Sequence, residues 1–242
     1  MKVEVIEPHG MCAGVNAAIA KALKLKDVWC LHELVHNEIV IGELKDLGFR
    51  FVDRIEDVPE GETVVFSAHG VSPAVREIAK ARKLKVVDTT CPFVAKVHRA
   101  AREFAEKGLP VVIIGDPKHV EVQGIQGEID SCRLQSIAVG SRIGVVSQTT
   151  MNADEVERQV AELRKKYDVE TMAEVCHATK ERQDAVKCFC SSCLSSSVSS
   201  PEACEDWIAF EWRKIDDLDA ANLLPPEMRS IVQHPLALGT QH

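Results

Sequence analysis

Three cysteines stand at equivalent points of a repeating pattern, and that repetition constrains the fold more than any other feature of the chain. Cys12, Cys91 and Cys176 each follow a strand-like run and open a helix-like one. Before Cys12, Val3-Glu4-Val5-Ile6-Glu7 reads as a short strand. After it, Val15, Ala18, Ile19, Ala22 and Leu23 recur at helical spacing, predicting a helix from Val15 to Lys26. Leu84–Asp88 leads in the same way to Cys91 and a helix from Phe93 to Lys107, stopped by Gly108. A short strand near Val169–Met172 leads to Cys176 and a helical pattern that carries Arg182. The cysteines are separated by 79 and 85 residues, a near-repeat that predicts three similar α/β units, each giving one cysteine to a common centre.

The stretches between them keep the alternation. Val28–Leu31, Phe49–Val52, Glu62–Phe66, Pro110–Gly115 and Arg142–Val146 read as strands. Helices are predicted over Glu38–Leu47, from the Ser72-Pro73 start to Arg82, and from Ala153 to Tyr167 behind the Asn152 cap. The run from Asp116 to Val122 reads as the exit of a buried strand. In such folds ligands bind where strands end and helices begin, because helix-start amides point into that crevice and favour negative charge.

Composition narrows the function classes. A chain of 242 residues has room for two or three small domains, and its net charge of −8 argues against a nucleic-acid partner. No apolar run reaches the ~18–20 residues of a membrane span. The N-terminus enters a strand with no signal-peptide core, which points to a cytoplasmic protein without a membrane partner. Nine cysteines in that setting are better read as thiols, metal ligands or redox groups than as disulfides. Cys30 and Cys132 lack the strand-exit context and read as packing residues. Cys188-Phe189-Cys190-Ser191-Ser192-Cys193 resembles a metal-binding run without the paired arrangement of a zinc module. It keeps a zinc- or thiol-based binding protein open as an alternative. Seven serines in the ten residues from Ser191 to Ser200, and the absence of periodicity from Ile231 to His242, predict a poorly packed tail.

Thiolates are soft and anionic, so three cysteines from three units suit three irons of a cubane iron–sulfur cluster. Buried structural thiols are the competing explanation. His36, His69 and His119 lie at strand exits, where imidazoles beside helix-start amides suit a phosphate or diphosphate; each alone could equally cap a turn or fill a core gap. Glu121 lies two residues beyond His119, and on a loop or extended segment that spacing aims both side chains the same way. Buried, it would serve as a proton donor; exposed, it is an ordinary surface carboxylate. Ser147-Gln148-Thr149-Thr150 offers hydroxyls for a ligand or merely caps the next helix.

Taken together these stretches resemble the 4-hydroxy-3-methylbut-2-enyl diphosphate reductase family, the LytB-type enzymes. The matching segments run in the family's order: His9–Val15, Leu34–Asn37, Phe66–Ser72, Asp88–Pro92, His119–Gly124, Ser147–Thr150 and Cys176–Gln183. The resemblance implies an α/β trefoil of three small domains around a central [4Fe–4S] cluster held by Cys12, Cys91 and Cys176. It implies reductive removal of the hydroxyl of an allylic diphosphate, giving isopentenyl and dimethylallyl diphosphate in the methylerythritol phosphate route to isoprenoids. By the same matching, His36, His69 and His119 face the substrate, Glu121 supplies the proton with Thr149 assisting, and ferredoxin or flavodoxin supplies electrons. The implied domains are 11–91, 92–172, and 173–230 together with 1–10, with a tail over 231–242. The third is expected to be incomplete: the family's Ser-x-Asn and Ala-Ser diphosphate-binding turns are not found where they should lie. The resemblance returns briefly over Trp212–Arg229, a pattern that suggests shifted reading frames and leaves open an inactive fragment or pseudo-enzyme.

Overall fold

The hydrophobic runs pair into two parallel sheets. In the first, β1 (Trp29–Leu31) lies between β2 (Arg50–Val52) and β3 (Thr63–Phe66), and β4 (Lys85–Asp88) flanks β3, giving the order β2-β1-β3-β4. The register sets Cys30 against Phe51 and Val65, and Phe66 against Asp88. In the second, β5 (Val111–Ile114), β6 (Arg142–Ser147) and β7 (Asp168–Met172) lie in chain order. Parallel neighbours need crossovers, and helices supply them. In chain order the helices are α1 (Ala13–Ala22), α2 (Glu38–Asp46), α3 (Pro73–Ala81), α4 (Pro92–Glu106), α5 (Val120–Gln126), α6 (Ala153–Arg164) and α7 (His177–Leu194), of which α2, α3, α5 and α6 connect strands of one sheet.

This computed structural model describes residues 6–129 and 137–194, with side chains up to residue 188. Residues 11–183 form one compact unit that contains both sheets. Among the described residues, 6–10 and 184–194 fall in a second unit, in which His9 pairs with Glu7 at 2.8 Å. The expected serine-rich tail beyond Leu194, Cys132, and residues 3–5 of the expected first strand lie outside the described residues; Ile6–Gly10 forms bends, not strand.

Because strand side chains alternate, each sheet feeds a core on both faces. Cys30 and Val65 pack with Ala18 and Ala22 of α1 and with Val40, Ile41 and Leu44 of α2. On the opposite face Leu31, Val64 and Phe66 meet Ala79 of α3, together with Ile55 and Val58. In the second sheet Val111 and Val146 pack under Val97, Ala101 and Phe104 of α4 and Ile125 of α5. Ile114, Ile143 and Val145 face Ala153, Val156 and Val160 of α6. Cys30 is fully buried, and burial pushes its thiol up to about 12, as suits a packing residue rather than a reactive one.

Two local readings are corrected. The first helix ends at Ala22, not Lys26: Leu23 caps it, and Asp27 takes a positive φ that turns the chain into β1. The run after β5 is not an extended exit. It folds into α5, with His119 as its N-cap accepting a hydrogen bond from the Glu121 amide at 3.2 Å.

Candidate functional site

Each cysteine of the repeat occupies the same position, the residue before the first turn of a helix. The carbonyl of Cys12 accepts from the Asn16 amide at 2.9 Å, that of Cys91 from Ala95 at 2.9 Å, and that of Cys176 from Lys180 at 3.0 Å. These are the first helical bonds of α1, α4 and α7, so three helix N-termini carry the three thiols. Cys12 and Cys91 make no capping hydrogen bond with their side chains. Cys176 does: its sulfur lies 2.9 Å from Thr179 Oγ1 and accepts from the Thr179 amide at 3.4 Å. All three are half-buried and outside any disulfide.

Gly14 explains how two of the thiols share a space. A Cβ there would lie 2.7 Å from Cys91 Sγ and 3.9 Å from Cys12 Sγ, so the sulfurs are no farther apart than those distances together. A side chain at position 14 would fill the gap the thiols face. Half-buried thiols at helix N-termini around a space kept open by glycine fit an anionic, thiolate-ligated cluster, because helix-start amides favour negative charge.

The histidines come from different strand exits and meet. His36 follows β1, His69 follows β3 and His119 follows β5. Ring centroids lie 4.5 Å apart for His36–His69, 5.3 Å for His36–His119 and 5.6 Å for His69–His119. One ring nitrogen from each lies within 4.8 Å of the others. Three imidazoles this close disfavour one another's protonation. His69 is held down to about 3, first by burial and then by the charges of His36, His119 and His32. Burial and His36 lower His119, against an opposing pull from Asp116. His69 and His119 therefore favour the neutral form more than free imidazoles do. Ser67 Oγ, 3.2 Å from His69 Nδ1, holds the ring through that nitrogen.

In α5, two residues past His119, Glu121 is 1% exposed. Thr149 donates to it twice, from its amide to Oε1 at 2.6 Å and from its hydroxyl to Oε2 at 3.1 Å. Burial raises this carboxyl, and the two Thr149 bonds and the charge of His98 oppose the rise. The Thr149 carbonyl in turn accepts from the Cys176 amide at 2.9 Å, tying the carboxyl to the third cysteine's turn. Gln148 braces the same corner, donating its amide to the Ile114 carbonyl at 2.8 Å and accepting from the Asp116 amide at 3.1 Å. The structure thus brings His36, His69 and His119 together, joins Glu121 to Thr149, and sets Cys12 beside Cys91.

Two residues escape sequence reasoning. His98 and Glu128 form a buried pair with Nδ1 and Oε1 3.0 Å apart. The available signal was a histidine on an apolar face of α4, between the buried Val94, Val97 and Ala101. In the cysteine-rich run, Cys188 lies exposed on α7; the side chains of Cys190 and Cys193 lie outside the described residues.

Known proteins share this chain's sequence and fold. A family model described as LytB protein matches residues 3–198. The 4-hydroxy-3-methylbut-2-enyl diphosphate reductase of Rhodococcus opacus (strain B4) is 39% identical over 210 residues, covering 79% of this chain and 62% of its own. The protein of the same name from Rhodopirellula baltica is 39% identical over 206 residues, 77% of this chain and 64% of its own. The chain therefore spans less than two thirds of the length of these relatives. Among solved structures, the E-1-hydroxy-2-methyl-but-2-enyl-4-diphosphate reductase of Plasmodium falciparum superposes with a TM-score of 0.71 at 33% identity, covering 77% of this chain and 64% of that one. A second, described as the terminal enzyme of the non-mevalonate pathway, gives 0.62 at 32% identity, covering 78% and 73%.

Proposed function

The chain belongs to the LytB family, and from that premise we propose that it reduces 4-hydroxy-3-methylbut-2-enyl diphosphate to isopentenyl and dimethylallyl diphosphate. The allylic hydroxyl leaves as water as two electrons and two protons enter. The observation that carries the reading is the convergence of His36, His69 and His119, from three strand exits, on one spot whose neighbouring helix holds the buried Glu121.

Cys12, Cys91 and Cys176 would hold a [4Fe–4S] cluster. When bound, it supplies electrons and an iron without a protein ligand that can act as a Lewis acid. His36, His69 and His119 bind the diphosphate, whose charge favours protonation of His69 and His119. Glu121 is the proton donor: burial favours its protonated form, and Thr149 fixes its direction. The electron donor would be a ferredoxin or flavodoxin and the setting cytoplasmic. Among the described residues no helix is long and apolar enough to cross a membrane.

The test is anaerobic reconstitution of the full chain with iron and sulfide, followed by reduction and product analysis. The reading requires about four irons per chain and both diphosphate products, with turnover lost in Glu121→Gln while the iron remains. A retained cluster without turnover in the unmutated chain would make this a pseudo-enzyme of the family.

A further inference from the structure

His98 lies two helical turns along α4 from Cys91, the residue that caps that helix. Its ring is not one of the three in the histidine cluster. It fills the gap between the two segments that deliver two of those rings. On one side is Gly70, directly after His69: a Cβ there would lie 2.9 Å from His98 Nε2. On the other is Gly124 of α5, three residues beyond Glu121: a Cβ there would lie 3.1 Å from Cε1 and 3.3 Å from Nε2. That same Cβ would be 3.5 Å from the Gly70 carbonyl oxygen, so the three groups are packed without slack. The ring is anchored from behind. Nδ1 meets Glu128 Oε1 at 3.0 Å, the two side chains are 7% and 6% exposed, and Arg102 Nε lies 3.4 Å from the other carboxylate oxygen. Nε2 is buried and finds no hydrogen-bond partner. Its place is set by packing and by the Glu128 anchor alone.

We propose that His98, seated on Glu128, is a positioning residue: its ring is the spacer that sets the distance between the His69 turn and the His119–Glu121 helix, and so the bite of the anion site. The inference rests on the diphosphate reading for its consequence. Its geometry stands apart from that reading. A tightly packed ring cannot be removed without its neighbours moving into the space. A space-filling core histidine would change stability alone; a spacer also changes the His69–His119 separation and the affinity for the anion that bridges them.

The experiment uses the full chain, with inorganic diphosphate as the probe, binding followed by calorimetry, and the ring-proton contact between His69 and His119 followed by NMR. His98→Ala is expected to lose that contact and to weaken diphosphate binding by about tenfold or more. Gly124→Ala, which presses on the ring from the α5 side, weakens binding in the unmutated background and is close to neutral once His98→Ala has made room. A folded His98→Ala that keeps the contact and binds diphosphate within about twofold of the unmutated chain overturns the proposal. Should His98→Ala fail to fold, Gly124→Ala decides alone, and unchanged affinity there is equally fatal. If the unmutated chain binds no diphosphate, the functional reading falls, and the NMR contact then decides the role of His98.

Discussion

His69 shows how much of a residue's chemistry is set by its neighbours. Its ordinary value of 6.5 falls to about 3 because the ring is buried and faces other imidazoles. In the unfolded chain it titrates normally, so between those two values the unfolded state carries a proton that the folded state refuses. Stability therefore falls as pH drops from about 6.5 towards about 3. Replacing His69 with Asn, which does not titrate, should flatten that loss. Thermal melts of both chains at pH 7 and pH 4.5 check it: the gap between the two pH values is expected to narrow in His69→Asn. An equal gap would mean that other groups dominate acid unfolding. The same residue illustrates what a sequence conceals. A histidine at a strand exit can be recognised by position, but the rings that perturb it lie 33 residues before and 50 residues after it in the chain. Only the tertiary fold brings them together.

At the scale of elements, glycines decide which helices sit close to which strands. Gly144 in β6 lies under α4, where a Cβ would come within 2.5 Å of the Phe104 ring. The ring is held in the core and cannot swing away, so Gly144→Ala is expected to cost about 1–3 kcal/mol, seen as a lower denaturation midpoint. Gly14 makes the contrasting case. It sits in the first turn of α1, where alanine is the better helix former, and the atom it would meet is the movable sulfur of Cys91. Gly14→Ala should therefore leave the iron-free chain as stable as before and reduce the iron it takes up. Loss of stability without loss of iron would reverse the assignment of that glycine. The strands and most helices were readable in advance because their apolar periods are local. α5 was not, since it has seven residues, includes Gly124, and is fixed by tertiary contacts more than by propensity. Read as a loop or extended segment, the run gives Glu121 the wrong reason for its orientation. The carboxyl points inward because the second residue of a helix faces Thr149. The His98–Glu128 pair was hidden for a similar reason: its partners are 30 residues apart, and nothing local marks either one.

At the scale of the whole molecule, the three cysteine positions divide the chain into two long loops. The expected domain limits, 11–91 and 92–172, follow those loops; the third, 173–230 with residues 1–10, extends beyond the described residues. A hydrogen bond already ties each loop back on itself at its closing cysteine, from the Cys91 amide to the Ala68 carbonyl in the first and from the Cys176 amide to the Thr149 carbonyl in the second. A cluster ligated by Cys12, Cys91 and Cys176 would close loops of 79 and 85 residues. Closing a loop of that length removes entropy from the unfolded chain worth on the order of 4 kcal/mol by the cross-link relation, and ligation couples metal binding to folding. Reconstitution should thus raise the unfolding midpoint, and it should slow amide exchange at the starts of α1, α4 and α7 together. Cys176→Ala should lose the gain at α7 and part of the gain in midpoint, because one of the two loops is no longer closed. Protection confined to α1 and α4 in the unmutated chain would mean that Cys176, whose sulfur is hydrogen-bonded to Thr179 in its own helix, stays there and does not join the other two.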